Sequence, residues 1–196
     1  MIPVIRPPRG VCYRRFMPIA LGRLSRRASS SEPAELLLEC HDRIRQHMRG
    51  AIALSTASAD DPAVPATAEA VHRYFSVALP LHSEDEDASV GPRLRATPLT
   101  GEAASAVAAM TAQHADIDLA LLRLLPMWAR LASEPASLSG LRETLVRDTM
   151  HFDALWAVHL DLEERIVFPL VTGRLDQATR AEIVREMRAR RGTATA

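Results

Sequence analysis

Two short stretches of the chain carry the same set of side chains able to bind a cation. In HSEDEDASVGP, residues 82 to 92, a histidine is followed four places on by a glutamate and ten places on by a proline: His82, Glu86 and Pro92. HLDLEERIVFP, residues 159 to 169, repeats the pattern with His159, Glu163 and Pro169. Each residue of a helix turns about 100°, so side chains four apart lie only about 40° from one another. An imidazole nitrogen and a carboxylate oxygen at that offset can share one ion. Neighbouring acids fail the same angular test: Glu84 falls about 200° from His82, and Glu164 about 140° from His159. That assigns both to solvated faces.

The elements that must position these groups are helical. From residue 33 the apolar residues recur at three- and four-residue steps, and no stretch keeps the alternation of a half-buried strand. The fold class is all-α. Long helices are expected at 33–56, 66–89, 101–132 and 138–171, with a short amphipathic helix at 176–190 packed outside them. Ser31 is the candidate N-cap of the first helix, with Pro33 in its first turn. Inward stripes read Leu37, His41, Ile44 and Met48; then Val71, Phe75, Ala78, His82 and Glu86; then Val107, Met110, His114, Ile117, Leu121, Leu124 and Trp128; then Leu141, Leu145, Phe152, Leu155, His159, Glu163 and Ile166. Pro80 should bend the second helix, GPRLRATP should end it, and Pro126 should kink the third. Short connections between four long helices imply an up-down-up-down four-helix bundle. The domains follow: a basic, disordered extension over 1–30, with Met17 an alternative start; the bundle over 31–172; and a C-terminal helix and tail over 173–196.

Each long helix then presents one inward histidine: His41, His82, His114 and His159. They meet only if they also share a height along the axis. At about 1.5 Å rise per residue the heights agree between the first and second helices and between the third and fourth. Between the second and third they differ by roughly 9 Å. Burying two unpaired carboxylates costs several kcal/mol each unless a cation or good hydrogen bonds compensate, and no arginine recurs on the inward stripes. A metal supplies the missing charge, and two ions bridged by Glu86 and Glu163, with the histidines as terminal ligands, use the inventory well. All donors are nitrogen and oxygen, which disfavours sites that lean on thiolates. Asp118, four after His114, is a possible further ligand, though a polar residue at the seam edge is the favoured explanation. His151 is a candidate ligand or outer partner, His72 and His47 read as flank residues, Cys40 as a small core filler, and Trp128 and Trp156 as packing anchors.

Composition narrows the partners. All 24 basic residues are arginine, balanced by 24 acids. Residues 1 to 30 hold seven of those arginines and no acid, leaving 17 − 24 = −7 for the rest. An acidic body is a poor nucleic-acid binder. No apolar run approaches the roughly 18 to 20 residues that span a bilayer, so no membrane role is expected. Two cysteines, Cys12 and Cys40, make no disulfide framework, and a reducing cytoplasm is the expected setting.

The ordered set of a lone histidine in the first helix (LLECHDRIR), the two H-x-x-x-E-x-x-x-x-x-P units and a histidine in the third helix (MTAQHADID) resembles the hemerythrin-like proteins with HHE cation-binding domains, along residues 33 to about 172. The resemblance implies a four-helix bundle enclosing two non-haem iron ions that meet O2 or a related small oxidant such as NO or peroxide. By position it makes His41, His82, Glu86, His114, His159 and Glu163 the ligands. Oxygen-carrying members bear a second histidine where this chain has Asp118, and place the fourth-helix carboxylate as an aspartate five after its histidine. Glu163 stands at four. That departure is similar to the sensing and iron-handling branch, and binding or sensing is expected over turnover because no substrate pocket or acid/base pair can be read. The rival readings are a di-iron oxidase or peroxidase and a metal-free helical interaction module.

Overall fold

The computed structural model describes residues 31–192. The expected extension over 1–30, including Cys12 and Met17, lies outside the described residues. Within them every regular element is helical and no strand occurs. Five helical rods follow one another: α1 (Pro33–Thr56), α2 (residues 64–95), α3 (Gly101–Ser133), α4 (residues 138–174) and α5 (Gln177–Arg190). A 3-10 turn at Pro135–Ser137 leads into α4. α1 packs against α2 and α4, α2 against α3, and α3 against α4, while α5 lies outside this ring against α2 and α1. The outer position matches the expectation for the last helix, whose Ile183, Val184 and Met187 turn inward.

Several expected boundaries move. α1 is preceded by Glu32 in extended backbone, with no side chain capping its first turn, so Ser31 is not the cap. α2 does not end at GPRLRATP: Gly91–Arg95 remains helical. α3 runs unbroken through Pro126. α5 begins with Asp176, whose carboxylate accepts the Thr179 N–H at 2.7 Å and satisfies one of the free N–H groups of the first turn.

Three wide π turns interrupt the long helices, at Tyr74–Ala78, Asp85–Val90 and Glu163–Val167. Each ends two residues before a proline: Pro80, Pro92 or Pro169. The physical cause is common to the three. Proline has no N–H to donate, and its ring collides with the carbonyl four residues back. Widening the turn lets the preceding residue bond one position further: the N–H groups of Leu79, Gly91 and Phe168 reach the carbonyls of Tyr74, Glu86 and Glu163. The extra residue also shifts the buried stripe by one. Leu79 is buried rather than Ala78, and Val167 rather than Ile166.

The interior falls into two apolar clusters. One contains Ile44, Phe75, Leu79, Ile117, Trp128, Phe152, Trp156 and Leu160. The other contains Leu37, Val90, Val107, Met110, Val167, Phe168 and Ile183. α1 leaves the second cluster at Leu37 and enters the first at Ile44, with His41 between. α2 returns from Leu79 to Val90, with His82 and Glu86 between. α3 passes from Met110 to Ile117 through His114, and α4 from Leu160 to Val167 through Glu163. A buried polar layer therefore separates two greasy halves, and every long helix contributes to it.

Candidate metal centre

Continuation of α2 to Arg95 removes the height mismatch between the second and third helices. His82 stands thirteen residues before Arg95, and His114 thirteen after Gly101. All six expected side chains, His41, His82, Glu86, His114, His159 and Glu163, are at most 4% exposed.

They form two overlapping groups. His41, His82, Glu86 and Glu163 offer ligand atoms within 4.8 Å of one another, and so do Glu86, His114, His159 and Glu163. Both glutamates belong to both groups. One Glu163 oxygen lies 3.1 Å from His41 Nε2 and the other 3.2 Å from His159 Nε2. Glu86 spans in the same way, 3.4 Å from His82 Nε2 and 3.2 Å from His114 Nε2. The paired rings stand edge to face, with centroids 5.2 Å apart for His41 and His82 and 4.8 Å for His114 and His159. Aromatic side chains close the layer from both clusters: Phe168 is 4.9 Å from the His41 ring and Trp156 is 5.2 Å from the His159 ring.

The outward ring nitrogens explain why the inward ones are available. His41 Nδ1 lies 2.8 Å from Glu164, His114 Nδ1 2.9 Å from Asp87 and His159 Nδ1 3.0 Å from Gln113 Oε1. Each partner accepts, so in His41 and His159 the ring proton sits on Nδ1 and the Nε2 lone pair points inward, while His114 lies between two acceptors, with Nε2 also 3.2 Å from Glu86. Glu164 is held in turn by Arg45 Nη2 at 2.6 Å, and Asp87 by the Thr111 hydroxyl at 3.0 Å. Glu164 thus corrects its assignment to a solvated face: it is far around α4 from His159, but it faces His41 on α1. Asp87 and Gln113 escaped the sequence reading as well. Their only signal was adjacency to Glu86 and His114, and their partners lie on neighbouring helices.

Lone pairs facing carboxylate oxygens leave nothing to share. His41 Nε2, His82 Nε2, His159 Nε2, Glu86 Oε1 and both Glu163 oxygens are buried without a hydrogen-bond partner among the described residues. Burial, and then the nearby Glu86 charge, push the Glu163 carboxyl up to about 8. Burial followed by the charges of Asp85 and Asp87 raises Glu86 as well. Burial likewise holds His82 and His159 well below the ordinary imidazole range. Four inward imidazoles and two carboxylates stripped of water are a nitrogen and oxygen donor set that suits a cation.

The other candidates stay outside. Asp118 and His151 are exposed and belong to neither group. His47 stacks on Tyr74, His72 is half-buried, and Cys40 is a buried free thiol. Trp128 and Trp156 are buried in the first apolar cluster as expected. A groove of about 410 Å³ between α1 and α4 is lined by Ile44, Arg45, Met48, Trp156, Leu160 and Glu164 among others. No pocket was legible in the sequence.

An all-helical protein whose interior holds two histidine–carboxylate groups sharing both carboxylates is, by construction, a candidate cation binder. Residues 32–189 match the hemerythrin HHE cation binding domain. The chain belongs to that family. No curated protein matches it. Among the described residues no helix is long and apolar enough to cross a membrane.

Proposed function

We propose that this chain is an up-down-up-down four-helix bundle that holds two non-haem iron ions and uses them to bind or sense O2 or a related small oxidant, NO and peroxide included, or to handle iron. One observation carries the reading: the two four-residue groups share both Glu86 and Glu163, so each carboxylate has one oxygen for each group. That arrangement suits a pair of ions and is wasteful for one. The alternation of α1 to α4 between the two apolar clusters supports the topology. His41 and His82 would complete one position, and His114 and His159 the other. When bound, ferrous ions there supply the electrons that a small oxidant takes up. The protein's part is to aim the Nε2 atoms of four histidines inward, to set two buried carboxylates between them, and to exclude water with Phe168 and Trp156. A cytoplasmic setting belongs to this reading and accords with the free thiol of Cys40.

The groove between α1 and α4 favours one second reading, a di-iron oxidase or peroxidase. Its wall includes Trp156 and Glu164, each in contact with a candidate ligand histidine.

The test is to load metal-free protein with ferrous iron without air and then admit air. Two irons per chain and new visible absorption on oxidation are the expected result. Iron that stays unbound, or a thermal midpoint unchanged by metal, rejects the reading in favour of a metal-free interaction module. Sustained consumption of peroxide over many equivalents per chain would instead select the enzyme.

A further inference from the structure

The two cation positions are not equivalent, and the difference lies in the residues behind the histidines. His159 donates Nδ1–H to Gln113 at 3.0 Å, and His114 stands between two acceptors, Asp87 at 2.9 Å from Nδ1 and Glu86 at 3.2 Å from Nε2. His41 donates to Glu164 at 2.8 Å. His82 is 1% exposed, and its Nδ1 has no partner among the described residues. Around it stand the His41 ring and, further off, Trp156, neither of which offers a fixed acceptor.

An imidazole ligates through the nitrogen that carries no proton. For His41 and His159 the outer acceptor already draws the proton to Nδ1, for His114 the shorter bond to Asp87 competes for it with Glu86, and in all three the outer bond fixes the ring's rotation. His82 has no such acceptor, so its proton can stay on Nε2, facing Glu86. A cation taken by His82 forces that proton outward to a buried nitrogen with nothing to receive it, and an unmet buried donor is costly. The ring must also be held in place with no hydrogen bond behind it.

We infer that the position formed by His114 and His159 fills first and holds its ion more tightly, while the position formed by His41 and His82 is the weaker, exchangeable one, with Asp87, Gln113 and Glu164 acting as positioning residues. This rests on the reading above that two ions bind. Loss of an outer partner commonly weakens metal binding by about ten- to a hundredfold, so the two affinities are expected to differ by tenfold or more.

Cobalt(II) titrated into the full-length metal-free chain tests this, because its visible spectrum reports each coordination event without redox chemistry. Wild type should show two separable events. Asp87→Ala and Gln113→Ala should weaken the tighter event about tenfold or more, and Asp87→Asn, which keeps an acceptor oxygen, should recover much of the loss. Glu164→Ala should weaken only the looser event. Melting of each metal-free variant shows that folding is unchanged, and a merely structural role predicts neither the split between events nor the rescue. A single event of one ion per chain, lost in Asp87→Ala and kept in Glu164→Ala, also supports the order. Two events of equal affinity, or the opposite assignment of variants, overturn the inference and leave the two-ion reading standing. No cobalt bound at all overturns both.

Discussion

At the scale of single residues, the decisive groups are Glu86 and Glu163, because their cost to the fold depends on what shares the layer with them. With Glu163 raised to about 8 in the metal-free protein and near 4.5 in the unfolded chain, the native state holds the extra proton between those values. The unfolded state binds fewer protons there, so stability falls as pH rises. Below about 6.5 the histidines act oppositely: depressed His82 and His159 remain neutral when folded and take protons when unfolded, so stability falls as pH drops. Metal-free protein should therefore lose stability between pH 6.5 and 8, by at most about 1.4 kcal/mol per pH unit for each raised carboxyl, as followed by urea unfolding at each pH. Metal-loaded protein should show no such decline, since a bound cation favours the ionised carboxylates. Glu163→Gln removes the charge and keeps the shape. It should make the metal-free pH profile shallower, leaving the share of Glu86, while abolishing the rise in melting temperature that metal gives, a rise worth about 4 kcal/mol when free metal is a thousandfold above Kd. A metal-free profile that is flat in wild type would contradict the carboxylate argument.

At the scale of elements, the proline of each H-x-x-x-E-x-x-x-x-x-P unit acts on the helix and not on a ligand. It imposes a wide turn whose i to i−5 bond ends on the backbone carbonyl of the motif glutamate, and the stripe beyond it steps round by one residue. Val167, fully buried, replaces Ile166 on the core face. Val167→Ala should then cost about 2 kcal/mol and Ile166→Ala about 1 kcal/mol or less, measured by chemical denaturation. A straight helix predicts the reverse order. The helical spacing, the four inward histidines and the two glutamates were legible because each depends on angles within one helix. The wide turns were not, since a 3.6-residue period has no place for an added residue, although proline two positions on was a usable sign. Gly91-Pro92 read as a break for the same reason: a proline is tolerated in a helix that has just widened. Glu164, Asp87 and Gln113 were missed because their angles to the histidine on their own helix say nothing about a histidine on the next.

At the scale of the whole molecule, the last helix is fastened to the same turn that carries Glu86. Asp85, adjacent to Glu86, is fully buried, and the guanidinium groups of Arg190 and Arg191 reach it at 2.9 and 2.6 Å. Ser89 and Arg93, one and two turns further along α2, meet Glu186 of α5. Burial still holds the Asp85 carboxyl above its ordinary range despite both arginines, which marks the pair as a means of fixing α5 in register more than a large source of stability. The sign of a double substitution follows. Arg190→Ala with Arg191→Ala strands a buried charge and should cost about 3 kcal/mol, read from denaturant midpoints. Adding Asp85→Asn to that background removes the stranded charge and should recover a large part of the loss, although Asp85→Asn alone in wild type destabilises. If the triple variant is no more stable than the double, α5 is held by Ile183, Val184 and Met187 against the second apolar cluster, and the ion pairs only decorate that contact. Recovery would mean that the C-terminal helix and the glutamate-bearing turn of α2 are joined by charge, so that displacing one disturbs the other.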